Sequence, residues 1–116
     1  MYDKNKGFEY EKIAKRYLIA NGYKILEENF SCRLGEIDII ATKNSRLHFV
    51  EVKGRINTEH GYPRESVTLP KQKKIIKAAK YYLMLRGSDN MSCQFDVVEI
   101  IIENKEINYI ENAFWI

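Results

Sequence analysis

Hydrophobic and polar positions along the chain follow two different periods. From about Lys4 to Asn21, the apolar residues Tyr10, Ile13, Ala14, Tyr17 and Leu18 recur at helical spacing, and Asn21-Gly22 closes the run as a left-handed cap would. Three strand-like runs follow, Tyr23 to Asn29, Glu36 to Thr42 and Leu47 to Lys53, separated by short polar turns that predict an antiparallel meander. Residues 54–66 show no periodicity and are long for a connection, which predicts a mobile insertion or a working loop. A second helix is expected from about Pro70, a residue suited to a first turn, to Arg86, with Gly87 as its cap. Cys93 to Ile102 is apolar on both sides, as in a central strand of a covered sheet, and Asn104-Lys105 turns into a last short strand near Ile107 to Ile110. The order α-β-β-β-α-β-β predicts an α/β fold with a mixed sheet flanked by helices.

Charges interrupt this pattern where a sheet interior would have Val or Ile. Asp38 lies within one apolar run, and Glu51 and Lys53 lie within the next. A hairpin closed evenly about Asn44-Ser45 places Asp38 opposite Glu51, Glu36 opposite Lys53 and Ile40 opposite Phe49. Two carboxylates about 5 Å apart repel by roughly 3 kcal/mol at an effective dielectric near 20. Protonation of one member, neutralisation by Lys53, or a shared divalent cation would each relieve that repulsion. Mg²⁺ suits a site with few protein carboxylates, because it keeps waters and accepts phosphate oxygens. A lysine two residues after Glu51 points to the same side, where it can orient water and oppose charge building on a phosphate. The same residues would also serve as cross-strand ion pairs on an ordinary solvated hairpin face.

The helices add further candidates. Glu11 lies at the edge of the buried stripe of the first helix, able to reach inward or to pair with Lys15. On the second helix Ile75, Ile76, Ala79, Tyr82 and Leu83 mark the core face. Its first turn then aims Lys71 and Gln72 toward the sheet, while Lys73, Lys77 and Lys80 point to solvent. No acidic residue occurs from Pro70 to Gly87, so these lysines form either a phosphate-tracking stripe or a solubilising face. His48 and His60 have no companion ligands, and a structural role is expected for Asp96.

Bulk properties narrow the class. The chain has 116 residues, enough for a single domain over residues 1–116, with 45% hydrophobic and 30% charged residues. A net charge of +3 is compatible with nucleic-acid binding without requiring it. Cys32 and Cys93 lack metal-ligand spacing and are expected to be reduced thiols. With no signal-like or membrane-length apolar run, a cytoplasmic location and no membrane partner are expected.

The segments GFEYEKIAKRYLIANGYKILEENF, GEIDII, HFVEVKGR, VTLPKQKKIIKAAKYYL and QFDVV together resemble the YraN family of bacterial proteins over almost the whole chain. That family is similar to the restriction-endonuclease-like PD-(D/E)xK superfamily and, within it, to archaeal Holliday-junction resolvases. The resemblance implies that Asp38 takes the first acidic position, Glu51 the second, Lys53 the lysine and Glu11 the acidic position of the leading helix. Ile37 stands where the motif has proline, and Tyr10 where the family usually has glycine. The implied activity is that of an endonuclease dependent on Mg²⁺ or Mn²⁺, acting on DNA, with branched or structured DNA as a candidate substrate. Asp38 and Glu51 would hold the metal, and Lys71, Gln72, Lys73, Lys77 and Arg55 would contact nucleic acid. Symmetric cutting of a four-way junction would require a homodimer, for which the tail NAFWI offers either an interface or a cover for the core. The alternative class is a non-catalytic nucleic-acid-binding or assembly module that retains the fold.

Overall fold

The computed structural model describes residues 4–56, 67–87 and 91–115. The elements are α1 (Lys4–Ala20), β1 (Lys24–Cys32), β2 (Gly35–Lys43), β3 (Arg46–Arg55), α2 (Leu69–Leu85), β4 (Cys93–Ile101) and β5 (Glu106–Phe114). They form one five-stranded sheet in the order β1-β2-β3-β4-β5. Every neighbouring pair is antiparallel except β3 and β4, which are parallel. A parallel pair cannot be joined by a tight turn, and α2 supplies part of the crossover. The expected mixed α/β architecture is therefore present. The first four strands and α2 fall close to their expected positions. His60 and most of the expected working loop lie outside the described residues.

Each helix covers one face of the sheet. Ala14 and Leu18 of α1 pack on Ile39, Ala41, Val50, Val98 and Ile100. Ile75, Ala78, Ala79, Tyr82 and Leu83 of α2 pack with Ile37, Ile40, Phe49, Phe95, Val97 and Phe114. Gly22 (φ 88°) and Gly87 (φ 64°) follow the two helices in left-handed backbone, as their positions in the sequence predict. Thr68 caps α2, accepting a hydrogen bond from Lys71 N–H, so the helix begins one residue before Pro70. No helix among the described residues is long and apolar enough to cross a membrane.

The last strand is longer than the apolar run Ile107 to Ile110 suggests, because it bulges. Phe95 pairs with Phe114 and Val97 with Ile110, so β5 has three residues where β4 has only Asp96. The bulge frees the Asn112 N–H, which donates to Asp96 Oδ1 at 3.0 Å. Gln94 Nε2 donates to the same oxygen at 2.9 Å, and Asp96 Oδ2 meets His48 Nδ1 at 2.7 Å and the Tyr109 hydroxyl. Burial alone would raise the Asp96 pKa, but bonds from His48, Tyr109, Gln94 and Asn112 together hold it below its ordinary value. Asp96 thus has the expected structural role, with histidine and tyrosine among its partners. The tail closes the core through buried Phe114 and leaves Trp115 exposed.

Because the folded state depresses the Asp96 pKa, its stabilisation is present above the ordinary carboxylate value and is lost as pH falls through the lower, folded value. Asp96→Asn is therefore expected to cost about 2 kcal/mol at neutral pH. Urea titrations should show that cost shrinking in acid; an equal cost near pH 7 and near pH 3 would contradict the account.

Candidate active site

Asp38 owes its position to a fault in the strand alternation. Ile37 and Ile39 are two residues apart and would share a face of a regular strand, yet Ile39 packs under α1 and Ile37 under α2. The neighbouring strand reverses at the same rung. Glu28, the partner of Ile39, pairs with Lys15 of α1 at 2.9 Å, whereas Phe30, the partner of Ile37, meets the Tyr82 ring of α2. Between them Asn29 adopts left-handed backbone, φ 53°, a conformation that asparagine tolerates better than most residues.

β2 and β3 part at this point. Their register runs from Lys43↔Arg46 to Ile39↔Val50, as the even hairpin predicts, and Asn44 and Ser45 form its turn with positive φ. Beyond Ile39, the Asp38 carboxylate takes the place of a backbone acceptor, receiving the Val52 N–H at 2.8 Å. The expected Glu36–Lys53 rung is therefore absent: Glu36 pairs with Ser31 of β1 instead. The Asp38↔Glu51 rung lies beyond the last pair of that register as well, yet both side chains line the same cleft and the Asp38 charge acts on the Glu51 carboxyl.

The opening forms a cleft of about 900 Å³ that includes Tyr10, Glu11, Asn29, Glu36, Asp38, Glu51, Lys53, Lys71 and Lys74 in its walls. It lies toward the carboxyl end of β3, beside the parallel β3–β4 pair, where open α/β sheets commonly bind ligands. Gly54 brings α1 close: a Cβ there would stand 2.0 Å from the Tyr10 ring, so the tyrosine occupies the space a side chain would need. Tyr10 is thereby seated against β3, and the next residue, Glu11, faces the cleft. Lys15, its alternative partner in the sequence, bonds to Glu28.

Electrostatics couple the members of the cleft. Glu51 is only 5% exposed, and its Oε2 has no hydrogen-bond partner among the described residues. Burial, followed by the Asp38 charge, pushes its pKa up to about 9 against the opposing pull of Lys71 and Lys53. Glu11 is raised to about 7 by burial and then by Asp38, Glu28 and Glu36. Lys53 and Lys71 lie within hydrogen-bonding reach of each other. Burial and then Lys71 draw Lys53 below its ordinary pKa; for Lys71, burial is outweighed by the bond to Lys53 and by Glu51, Asp38 and Glu36.

Other residues stand apart from the cleft. Gln72 does not face the sheet site as its place on the helix suggests; its Nε2 turns back to the Val67 carbonyl at 2.9 Å. Arg55 is ion-paired with buried Glu99 at 2.8 Å, outside the cleft lining. Lys73 and Lys77 are exposed on α2 and also lie outside that lining. Lys74, which hydrophobic patterning does not single out, does line the cleft, one turn beyond Lys71. Asn29 is another unforeseen member; in the sequence it is an asparagine ending an apolar run.

The donor set fits a small hard cation whose coordination shell the protein would supply only in part. Asp38 and Glu51 both line the cleft, and Glu51 Oε2 is buried without a hydrogen-bond partner among the described residues. No group of three His, Cys, Asp or Glu side chains converges among the described residues, so water or substrate would complete the shell, as Mg²⁺ permits.

Comparison with known proteins places this site within one family. The sequence profile described as "Uncharacterised protein family UPF0102" matches residues 10–100, a span that includes Glu11, Asp38, Glu51, Lys53 and Lys71. A UPF0102 protein of Clostridioides difficile is 48% identical over 114 residues, covering 98% of this chain and 100% of the relative. One of Lachnoclostridium phytofermentans is 49% identical over 115 residues, covering 98% of this chain and 96% of its own. A UPF0102 protein of Chlorobium phaeobacteroides is 48% identical over 98 residues, 84% of this chain and 77% of the relative. With a profile match spanning most of the sheet and relatives aligned nearly end to end, the chain belongs to the UPF0102 (YraN) family.

Proposed function

We propose that this protein is a Mg²⁺-dependent endonuclease that hydrolyses phosphodiester bonds in DNA, with branched or otherwise structured DNA among its substrates. The observation that carries the reading is the meeting of the Asp38 and Glu51 carboxyls in a cleft also lined by Lys53, Lys71 and Lys74. Uncompensated, that acidic pair opposes folding, and a cation shared between the two groups would remove the opposition.

Hydrolysis requires a water oxygen to bond to phosphorus while the bond from phosphorus to the leaving sugar oxygen breaks. The attacking water loses a proton and the leaving oxygen gains one. Lys53, drawn toward its neutral form, is suited to orient the water and accept its proton. Lys71, held as an ammonium, would oppose the charge that grows on the phosphate, with Lys74 anchoring an adjoining phosphate. Glu11 would support the cation from the α1 side. When bound by Asp38 and Glu51, Mg²⁺ would supply Lewis-acid polarisation of the phosphate. Symmetric resolution of a four-way junction would need two copies of the chain.

Cleavage of linear, single-stranded and four-way-junction DNA with Mg²⁺ or Mn²⁺ tests the activity. Asp38→Asn and Lys53→Ala are expected to lose at least about 100-fold in rate. Equal DNA binding with no cleavage by wild type or either variant would instead identify a non-catalytic nucleic-acid-binding module.

The acidic pair can be tested without turnover. Because folding raises the Glu51 pKa from 4.5 to about 9, stability is complete below the lower value and is lost as pH rises toward the upper one. Glu51→Gln should therefore melt several degrees above wild type near pH 8 in EDTA and show no advantage near pH 4. Mn²⁺ should raise the melting temperature of the wild type alone; identical pH and Mn²⁺ responses of the two proteins would count against the site.

A further inference from the structure

The first hairpin ends in a way that turn formation does not explain. β1 and β2 stay paired to Cys32↔Gly35, so the whole turn is Arg33-Leu34. Two-residue hairpin turns favour Asn, Asp and Gly in left-handed backbone, as Asn44-Ser45 illustrates in the next hairpin at φ 53° and 63°. Neither Arg33 nor Leu34 has positive φ, and neither belongs to the residues a tight turn selects. Both are exposed, with Leu34 at 46%.

This tip is seated firmly beside the cleft. A Cβ on Gly35 would lie 2.8 Å from the Lys74 carbonyl oxygen and 3.2 Å from Lys74 Cβ, so only glycine lets the hairpin end press against α2. Gly35, Glu36 and Lys74 all line the cleft, and Arg33 and Leu34 immediately precede Gly35 without joining that lining. The result is an apolar side chain and a guanidinium held on a braced projection at the mouth of a lysine-lined cleft. A solubilising turn would need no leucine, and a core residue would not be half exposed.

Resting on the nuclease reading, we infer that the Arg33-Leu34 tip is a wedge for duplex DNA, with Leu34 entering a base step and Arg33 held against the flanking backbone. Apolar side chains inserted between base steps unstack and kink the duplex. The penalty is least where pairing is already interrupted, so the wedge favours junctions, flaps and bubbles over continuous duplex. Leu34 stands four positions before Asp38, at most about 14 Å along the strand. The wedge therefore enters within roughly four base steps of the scissile phosphate.

The test uses the full chain in Ca²⁺, where binding is read without turnover, on duplex and junction DNA carrying 2-aminopurine near the branch. Wild type should raise 2-aminopurine fluorescence, and Leu34→Ser should not, while keeping the wild-type melting temperature. In Mg²⁺, Leu34→Ser should slow cleavage of continuous duplex about tenfold while leaving a pre-opened bubble within about twofold. Normal unstacking by Leu34→Ser, or equal slowing on both substrates, would overturn the wedge and leave the nuclease reading intact. Unstacking that depends on Leu34 without cleavage of any substrate would sink the nuclease reading alone, and absence of DNA binding would overturn both.

Discussion

Two carboxyl groups held side by side, one of them almost without access to water, are the constraint around which the cleft is organised. A folded chain tolerates such a pair only if one member keeps its proton or if positive charge is close. Here both remedies are visible: Glu51 is driven toward its neutral form, and Lys53 and Lys71 stand opposite. Under the proposed function, the same tension that burdens the free protein would favour a cation in the cleft. In the proposed reaction, energy stored against folding becomes affinity for the ion that substrate chemistry requires.

The sheet separates this tension from the parts that hold the molecule together. On the α1 face, the Asp96 carboxylate is saturated by four partners and ties the bulged β5 to β4. Nothing about that acid is left for a ligand. Glu51, on β3, keeps an oxygen with no described partner. Two buried acids in one sheet thus play opposite parts, decided by whether their hydrogen-bonding capacity is used up.

Much of this was legible in the chain. Periodicity separates the two helices from the strands, and the even loop at Asn44-Ser45 sets a register that runs to Ile39↔Val50, one rung short of Asp38 and Glu51. What stayed hidden was local and irregular. Strict alternation cannot show that two strands reverse face together at Asn29 and Asp38, because each strand alone still reads as a sequence of apolar and polar positions. The true length of β5 was masked by Glu111 and Asn112, whose polarity looks like an ending but serves a bulge. Gln72 occupies a core-facing helical position, yet a nearby carbonyl at Val67 claimed its amide before the site could. The UPF0102 family membership agrees with the resemblance carried by the sequence motifs.

The contact between Tyr10 and Gly54 links two distant stretches of chain by volume alone. The ring fills the space that any larger residue at position 54 would claim, so bulk can be carried by the helix or by the strand but not by both. Changes at these positions should therefore be exchanged as compensating pairs over evolutionary time. A lineage that gave up the aromatic ring would gain freedom on the strand, and with it a different depth of pocket beneath the leading helix.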